Sequence, residues 1–217
     1  TDFSRNAVAN WNASLDSMHS AKYKQLRHHD DFISSPHIGI PTLLSRIYLS
    51  QSELLIMPHL KIIRKDLVNG KIVAKCAYHC HPFLLSFFLK LDPRVLYFYN
   101  YIGPTSSLLY SKNDDIRFNT SIKWLVDCDW YVAHISRARS IEILPIANYT
   151  LSNSNSITSQ IKNDIPNLRR KELLKLLNRY NPMDLFLLKA LGYLLLCISR
   201  VYSHIIYFLD PIIIELE

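Results

Sequence analysis

The sequence predicts a mixed α/β domain in which helices flank a sheet. Segments with apolar residues at helical spacing alternate along the chain with short runs rich in β-branched and aromatic residues. Hydrophobic residues make up 49% of the 217 residues and charged residues 20%, with four glycines. This composition belongs to a packed globular body and excludes disordered and collagen-like classes. The length suits one domain with a substantial core.

The N-terminal elements lead to an acidic pair. Apolar side chains at helical spacing predict a helix over residues 10–18, and residues 23–28 predict a short strand. The strand is followed by Asp30-Asp31. A proline-rich region then precedes a helix over residues 42–50.

The middle of the chain predicts strands. Residues 54–75 alternate enough to form strands around a turn at Asn69-Gly70. Residues 95–100 are dense in β-branched and aromatic residues and predict a further strand. Strand character resumes at residues 106–110, after a break at Gly103-Pro104.

The C-terminal half returns to helices. We expect a helix from about residue 119 to 137, with Asn119 or Thr120 as its cap, and then a strand over 141–146. Residues 151–159 are rich in Asn and Ser and predict a loop. A basic helix follows over residues 168–180.

The final predicted helix runs from about residue 184 to 209 and is amphipathic. Lys189 and Arg200 interrupt its apolar run, so we do not expect it to span a membrane. We expect its apolar face to pack on the domain or to lie at shallow depth in a membrane interface. That face consists of Leu187, Leu191, Leu194, Ile198, Val201, Ile205 and Leu209.

Charge and cysteine content bound the partners and the compartment. Lys and Arg number 25 against 18 Asp and Glu, which favours anionic partners such as nucleotides or membrane surfaces. The basic run of residues 169–171 is either a solvated helix face or a patch for anionic lipid. No nucleic-acid-binding motif is visible, so we expect no nucleic acid partner. The four cysteines form no disulfide framework, and no signal peptide opens the chain, which favours a cytoplasmic location.

Asp30-Asp31 is the first candidate site. A pair of hard oxygen ligands after a strand suits a divalent cation that also binds phosphate oxygens. The alternative is a solvated acidic turn. The neighbouring histidines, His28-His29, are either metal or phosphate ligands or hydrogen-bonded neighbours of the carboxylates.

Asp127 is the second candidate. It lies near the start of a predicted helix between Trp124 and Trp130, where desolvation can prepare a carboxylate to act as a general base. The alternative is an acidic residue that complements the helix dipole, worth about 0.3–1 kcal/mol. The run from Cys76 to His81 offers four zinc ligands too closely spaced to converge, so we expect no zinc site there.

The order of these motifs resembles the inverting glycosyltransferases of family 2, which have the GT-A fold. His28 stands where the family usually has a further carboxylate, and Val126 where it commonly has Glu. The resemblance covers residues 1–160 and is weak between residues 40 and 95. It is carried by Asn10-Trp11-Asn12-Ala13-Ser14-Leu15, Ala21-Lys22-Tyr23, Leu26, Asp30-Asp31-Phe32, Ile102-Gly103-Pro104-Thr105-Ser106, Arg117-Phe118-Asn119, Trp124 to Tyr131, Ile143-Leu144-Pro145 and Asn155-Ser156-Ile157-Thr158.

The resemblance implies a GT-A-like mixed sheet flanked by helices. Residues 1–160 would form a partial GT-A domain, and residues 161–217 a C-terminal helical extension. The nucleotide-binding start of the family's domain has no counterpart here, so the resemblance leaves the activity of this segment by itself open.

The resemblance also implies roles for individual residues. Asp31 and Asp30 would hold Mg²⁺ or Mn²⁺ against the diphosphate of a nucleotide sugar, with Asp30 and Asn12 on the donor side. Asp127 would accept the proton of a glycan or lipid-linked acceptor hydroxyl, and transfer would invert the anomeric configuration. The residues expected at the acceptor are Trp124, Asp129 and Trp130.

A different class of function stays open from the sequence alone. The chain would then be a non-catalytic basic module, such as a degenerate glycosyltransferase that docks on a membrane or a glycan. In either case we expect peripheral contact with the inner face of the membrane through the C-terminal helices.

Overall fold

The computed structural model describes residues 3–17, 22–28, 30–33, 36–69, 71–111, 115–151, 163–178, 180–209 and 212–216. The helices are α1 (Phe3–Ser17), α2 (Pro36–Leu49), α3 (Pro82–Leu91), α4 (Val126–Arg137), α5 (Ile165–Leu177) and α6 (Pro182–Leu209). Short 3-10 helices span Pro93–Tyr97 and Thr105–Ser107. The strands are β1 (Tyr23–Gln25), β2 (Asp31–Ile33), β3 (Leu54–Ile56), β4 (His59–Val68), β5 (Lys71–Tyr78), β6 (Leu108–Ser111), β7 (Ile141–Ile143), β8 (Asn148–Thr150) and β9 (Ile212–Leu216).

The described strands form two mixed sheets. The first has the order β1-β6-β3-β7, in which β3 and β7 are parallel and the other pairs antiparallel. The second has the order β2-β8-β4-β5-β9, in which β4 and β8 are parallel. The predicted α/β class is confirmed, although the strands are divided between two sheets. The chain passes from one sheet to the other between β1 and β2, where the acidic pair lies.

The main core lies between the first sheet and helices α3 and α4. Its largest fully buried side chains include Trp130, Tyr101 and Phe88. The segment predicted as a helical extension also contributes to this core, and its last described element, β9, pairs with β5. The side chains that it buries there are Leu176, Leu177, Leu188 and Leu195.

The β4–β5 hairpin confirms the predicted strands on either side of Asn69-Gly70, of which Gly70 lies outside the described residues. The two strands pair in antiparallel register up to Val68 and Lys71. Asn69 has a φ of 50°, a left-handed conformation that Asn tolerates better than most residues.

The predicted strand over residues 95–100 is wrong, because this segment begins with the 3-10 helix Pro93–Tyr97. Asp92 is its N-cap, and its side chain accepts a hydrogen bond from the Arg94 backbone N–H at 2.9 Å. Pro93 at the first helical position supplies the φ that a helix start needs. The cap and the proline outweigh the β-propensity of the residues that follow.

Helix α4 begins at Val126, later than the predicted start at residue 119 or 120. The Asn119 side chain accepts hydrogen bonds from the Ser121 backbone N–H and hydroxyl, at 3.0 and 2.6 Å, and forms a local turn. The cap motif therefore stabilises a turn that precedes the helix.

Helix α6 packs on the domain through a face that the sequence did not indicate. Its buried residues include Leu188, Gly192, Leu195 and Ser199. A Cβ on Gly192 would lie 2.8 Å from Cβ of Phe98, so glycine permits this close approach. Of the predicted apolar face, Leu191 is half-buried, and Leu187, Leu194, Ile198, Val201 and Ile205 are exposed.

Some sequence predictions fall outside the described residues. They are the loop at residues 152–159 with the Asn155–Thr158 motif, the residues Met18, Ala21, His29, Gly70 and Arg179, and the side chain of Leu209.

Candidate functional site

The acidic pair lies where the two sheets meet. β1 belongs to the first sheet, and β2 begins at Asp31 in the second. The Asp31 backbone N–H donates to the His28 carbonyl at 3.2 Å, which closes a tight turn between the strands. The topology therefore places His28, Asp30 and Asp31 together at this junction.

Hydrogen bonds fix the Asp31 side chain, which is 3% exposed. Thr150 in the neighbouring strand β8 donates its hydroxyl to Asp31 Oδ1 at 2.6 Å. The His28 backbone N–H donates to Asp31 Oδ2 at a long 3.4 Å. Because a carboxylate has about four lone-pair sites, Asp31 retains capacity to bind a cation.

His28, Asp30 and Asp31 form a possible metal site. Each offers one ligand atom, and these atoms lie within 4.8 Å of one another. Two carboxylates and an imidazole suit Mn²⁺, and the carboxylates suit Mg²⁺ as well. Thr105 Oγ1 contacts His28 Nε2 at 3.1 Å, and Trp11 of α1 stacks on the imidazole ring at 5.1 Å. The predicted pair is thus brought together with His28, which Thr105 and Trp11 orient.

Asp127 lies in the first turn of α4. Burial raises its pKa to about 6, nearby His28 lowers it, and the negative charge of Asp31 raises it further. Electrostatic coupling of this kind requires proximity. The structure therefore places Asp127 near His28 and Asp31, and we call the region of these three residues the cleft.

Glu172 of α5 holds the backbone that leads into α4. This buried carboxylate accepts hydrogen bonds from the N–H groups of Lys123 at 2.5 Å, Trp124 at 2.9 Å and Leu125 at 2.8 Å. A carboxylate at a helix N-terminus satisfies donors that the helix leaves unpaired. Glu172 thereby fixes the first turn that carries Asp127. Sequence reasoning missed it, and the one available signal was an isolated Glu in a basic helix.

Two predicted acceptor residues have structural contacts instead. Trp130 is 1% exposed and stacks on Phe118 at 4.7 Å inside the core, so the prediction that it meets an acceptor is wrong. Asp129 accepts hydrogen bonds from the Tyr97 hydroxyl at 2.9 Å and the Asn119 amide at 3.1 Å. Trp124 is half-buried against the core, and its acceptor role stays a prediction.

Asn12 docks helix α1 on the body of the protein. Its side-chain amide donates to the Phe118 carbonyl at 3.1 Å, and its carbonyl accepts from the Phe118 backbone N–H at 2.8 Å. Both ends of the amide are therefore engaged in docking α1, and the donor-binding role of Asn12 stays a prediction. The neighbouring Trp11 stacks on the ring of His28 at the cleft.

A polar wall beside Asp31 was not predicted. Asn148 contacts His59 Nδ1 at 3.2 Å and donates to the hydroxyls of Ser106 at 3.1 Å and Ser107 at 3.2 Å. Burial lowers the pKa of His59, while the Asn148 bond and the charge of Asp31 oppose that shift. These residues come from three separate segments, so no local motif marks them.

Gly103 lies against this wall with a φ of 107°. A Cβ at this position would lie 2.6 Å from Cβ of His59, so both the φ and the close approach require glycine. Its carbonyl accepts a hydrogen bond from the buried Tyr131 hydroxyl at 3.2 Å.

The run from Cys76 to His81 has structural contacts. Cys76 and Cys80 are buried thiols, and His79 Nε2 donates to the Asn100 carbonyl at 2.7 Å. The His81 side chain accepts from the Phe83 backbone N–H and caps α3.

The described cleft combines a candidate cation position, a carboxylate with a raised pKa and a wall of hydroxyl and amide groups. No protein-family model, curated protein or solved structure matches this chain. The arrangement is suited chemically to binding a phosphorylated ligand and removing a proton from a hydroxyl.

Proposed function

We propose that this cleft transfers a sugar from a nucleotide-sugar donor to a hydroxyl of a glycan or lipid-linked acceptor, with inversion. The observation that carries the proposal is the group of His28, Asp30 and Asp31, whose ligand atoms lie within 4.8 Å of one another, with the buried carboxylate of Asp127 close enough to feel the charge of Asp31. The surroundings of the two carboxylates give Asp31 a role on the donor side and Asp127 a role on the acceptor side.

The donor side is built on His28, Asp30 and Asp31. These residues would hold Mg²⁺ or Mn²⁺, and their donor set fits either ion. A divalent cation bound there would neutralise the charge of a departing nucleoside diphosphate. Thr150 holds Asp31 in position for this role, and Thr105 holds His28.

The acceptor side is built on Asp127. With a pKa raised to about 6, this carboxylate is mostly ionised at neutral pH yet more basic than an ordinary Asp. The acceptor oxygen attacks the anomeric carbon while the bond from that carbon to the diphosphate oxygen breaks. The leaving diphosphate keeps the electron pair, and the hydroxyl proton passes to Asp127. Attack from the face opposite the leaving group inverts the anomeric configuration.

The fold supports the proposal at a coarser level. The structure has the mixed α/β class to which the GT-A architecture implied by the resemblance for residues 1–160 belongs. In this proposal the protein is a family 2 glycosyltransferase that acts on the cytoplasmic side of a membrane.

A non-catalytic module that docks on membranes is the second candidate. The exposed apolar faces of α3 and α6 favour this candidate, because they can bind a membrane whether or not the cleft is catalytic. The two candidates differ in whether the cleft binds a metal and a nucleotide.

Isothermal titration calorimetry with Mn²⁺ and a panel of nucleoside diphosphates tests the proposal. We expect one nucleotide to bind only when Mn²⁺ is present, and Asp31→Asn to weaken that binding at least about tenfold. Asp66→Asn on the β4–β5 hairpin is the matched control and should bind like the wild type. Metal-independent binding, or unchanged affinity in Asp31→Asn, would contradict the proposal.

A further inference from the structure

Helices α3 and α6 carry apolar faces that the protein leaves uncovered. On α3, Phe83, Phe87 and Leu91 recur every four residues and are each at least half exposed. Single exposed apolar residues are ordinary, but long stripes of them mark an interaction surface. The stripe on α6 consists of Met183, Phe186, Leu187, Leu194, Ile198, Val201, Ile205 and Phe208, each 40–70% exposed.

Helices α3 and α6 meet at one end of α3 and share a packing partner, Tyr101. The ring of His81, the N-cap of α3, contacts the Tyr202 ring of α6 at 5.0 Å. Further along α3, Phe88 contacts Tyr101 at 5.0 Å, and the Tyr101 hydroxyl donates to the Gly192 carbonyl of α6. The start of α3 therefore lies near Tyr202, and a later part of α3 lies nearer to Gly192, which precedes Tyr202 in α6. The two helices run antiparallel. We call the exposed apolar residues of the two helices the α3–α6 surface.

The packing of α6 determines how it can meet a membrane. Its residues Met183–Tyr202 are long and apolar enough to cross one by length and composition, with a mean hydropathy of 1.7. However, Leu188, Gly192, Leu195 and Ser199 are buried against the domain. At about 100° per residue, the side opposite this contact holds Phe186, Leu194, Val201 and Phe208, as well as Cys197. One long side of α6 is therefore free to contact a membrane, while the other stays packed against the domain.

Positive charge borders the α3–α6 surface. Lys189 and Arg200 lie on one flank of α6, and both are exposed. Arg169 of the basic helix α5 donates to the Phe98 carbonyl, and the Phe98 ring contacts Tyr193 of α6. Residues 163–209 hold three acidic residues (Asp164, Glu172 and Asp184) and seven basic ones (Arg169, Arg170, Lys171, Lys175, Arg179, Lys189 and Arg200). A net charge of +4 complements an anionic lipid surface.

We propose that the α3–α6 surface lies flat in the interface of an anionic membrane. The apolar stripes enter the boundary between headgroups and acyl chains, and Lys189 and Arg200 extend to the lipid phosphates. In a transmembrane orientation, α6 would lose the contacts of Leu188 and Leu195 with the main core. The surface is independent of whether the cleft is catalytic.

Cys197 provides a natural reporter for this surface. It is exposed on α6, whereas Cys76, Cys80 and Cys128 are buried. An environment-sensitive fluorophore on Cys197 should shift to the blue with vesicles containing about 30% phosphatidylglycerol, and little with phosphatidylcholine alone. Quenchers near the headgroups should quench it more than quenchers at the bilayer centre.

Variants of exposed residues test which side chains bind. Phe186→Asp with Val201→Asp should weaken flotation with anionic vesicles at least about tenfold, because both apolar contacts are lost. Leu67→Asp, on the equally exposed hairpin, should have no effect. Lys189→Gln with Arg200→Gln should reduce binding to anionic vesicles by about tenfold and keep the thermal melting unchanged.

Three outcomes would overturn the proposal. In the first, vesicles cause no fluorescence shift, and Phe186→Asp converts a dimer into a monomer, which would assign the surface to a second copy. In the second, quenching is strongest at the bilayer centre, which would make α6 a span. In the third, neither vesicles nor self-association involves the surface.

Discussion

The negative charge of Asp31 raises the pKa of Asp127, although the first residue begins strand β2 and the second lies in helix α4. The two carboxylates therefore share one cleft in the fold. Burial is the larger cause of the raised pKa, so Asp127 is desolvated as well as paired with a like charge.

Removing the charge of Asp31 should lower the pKa of Asp127. In metal-free protein, we expect carboxyl NMR to report a pKa of about 6 for Asp127 in the wild type and a lower value in Asp31→Asn. Asp30→Asn is the matched control, because the charge of Asp30 is not among the causes of the shift. An identical titration in Asp31→Asn and the wild type would show that the carboxylates do not face each other.

Glu172→Ala should loosen the entry to α4. Three backbone N–H groups lose their acceptor, and leaving buried donors unpaired costs about 1–3 kcal/mol in the free energy of unfolding. Amide hydrogen exchange of residues 123–125 should accelerate more than exchange in β3. Lys171→Gln, on the exposed side of α5, is the control. Unchanged exchange at residues 123–125 would remove Glu172 from the positioning of Asp127.

His79 should make the fold less stable in mild acid. Burial lowers its pKa to about 4 from the 6.5 of an exposed histidine, with His59 and Lys61 adding to the shift and the Asn100 hydrogen bond opposing it. Between these values the unfolded chain binds a proton that the folded protein does not. The free energy of unfolding should therefore fall as the pH falls from 6.5 to 4, by about 2–3 kcal/mol.

Urea unfolding at about pH 7 and pH 5 checks this dependence. His79→Gln should flatten the difference between the two values, whereas the exposed control His204→Gln should not. An equal pH dependence in wild type and His79→Gln would contradict the account of this residue.

The sequence predicted what local patterns encode. The Asn69-Gly70 hairpin, the basic helix and the acidic pair each depend on neighbours in the chain. The strand predicted at residues 95–100 failed because the Asp92-Pro93 cap outweighs β-propensity. Of the two alternatives for the predicted apolar face of α6, packing on the domain is wrong, because Gly192, which has no side chain to count as apolar, allows the closest packing on another face.

Long-range contacts explain the rest of the site. Asp31 and Asp127 could be predicted as site residues because their neighbours in the sequence, a strand before Asp31 and apolar residues around Asp127, mark their settings. Glu172, Asn148 and His59 could not, because their partners lie far away in the sequence. Asn12 looked like a ligand-binding residue, and only the contact with Phe118 shows that it docks α1.

We expect Asp127 to lower the free energy of unfolding at neutral pH. Its folded pKa exceeds that of the unfolded chain, so its contribution to stability is present at low pH and is lost as the pH rises through about 6. Asp127→Asn should therefore be at least as stable as the wild type at neutral pH. A residue that only starts a helix would show the opposite change.

Single-turnover sugar transfer by Asp127→Asn, measured beside donor affinity and thermal melting, tests the central claim most directly. We predict a rate lower by about 10²–10⁴, with donor affinity and melting temperature retained, because the amide preserves the packing but cannot accept the acceptor proton. Transfer at the wild-type rate, with earlier melting, would contradict the account and leave Asp127 as a helix-start residue.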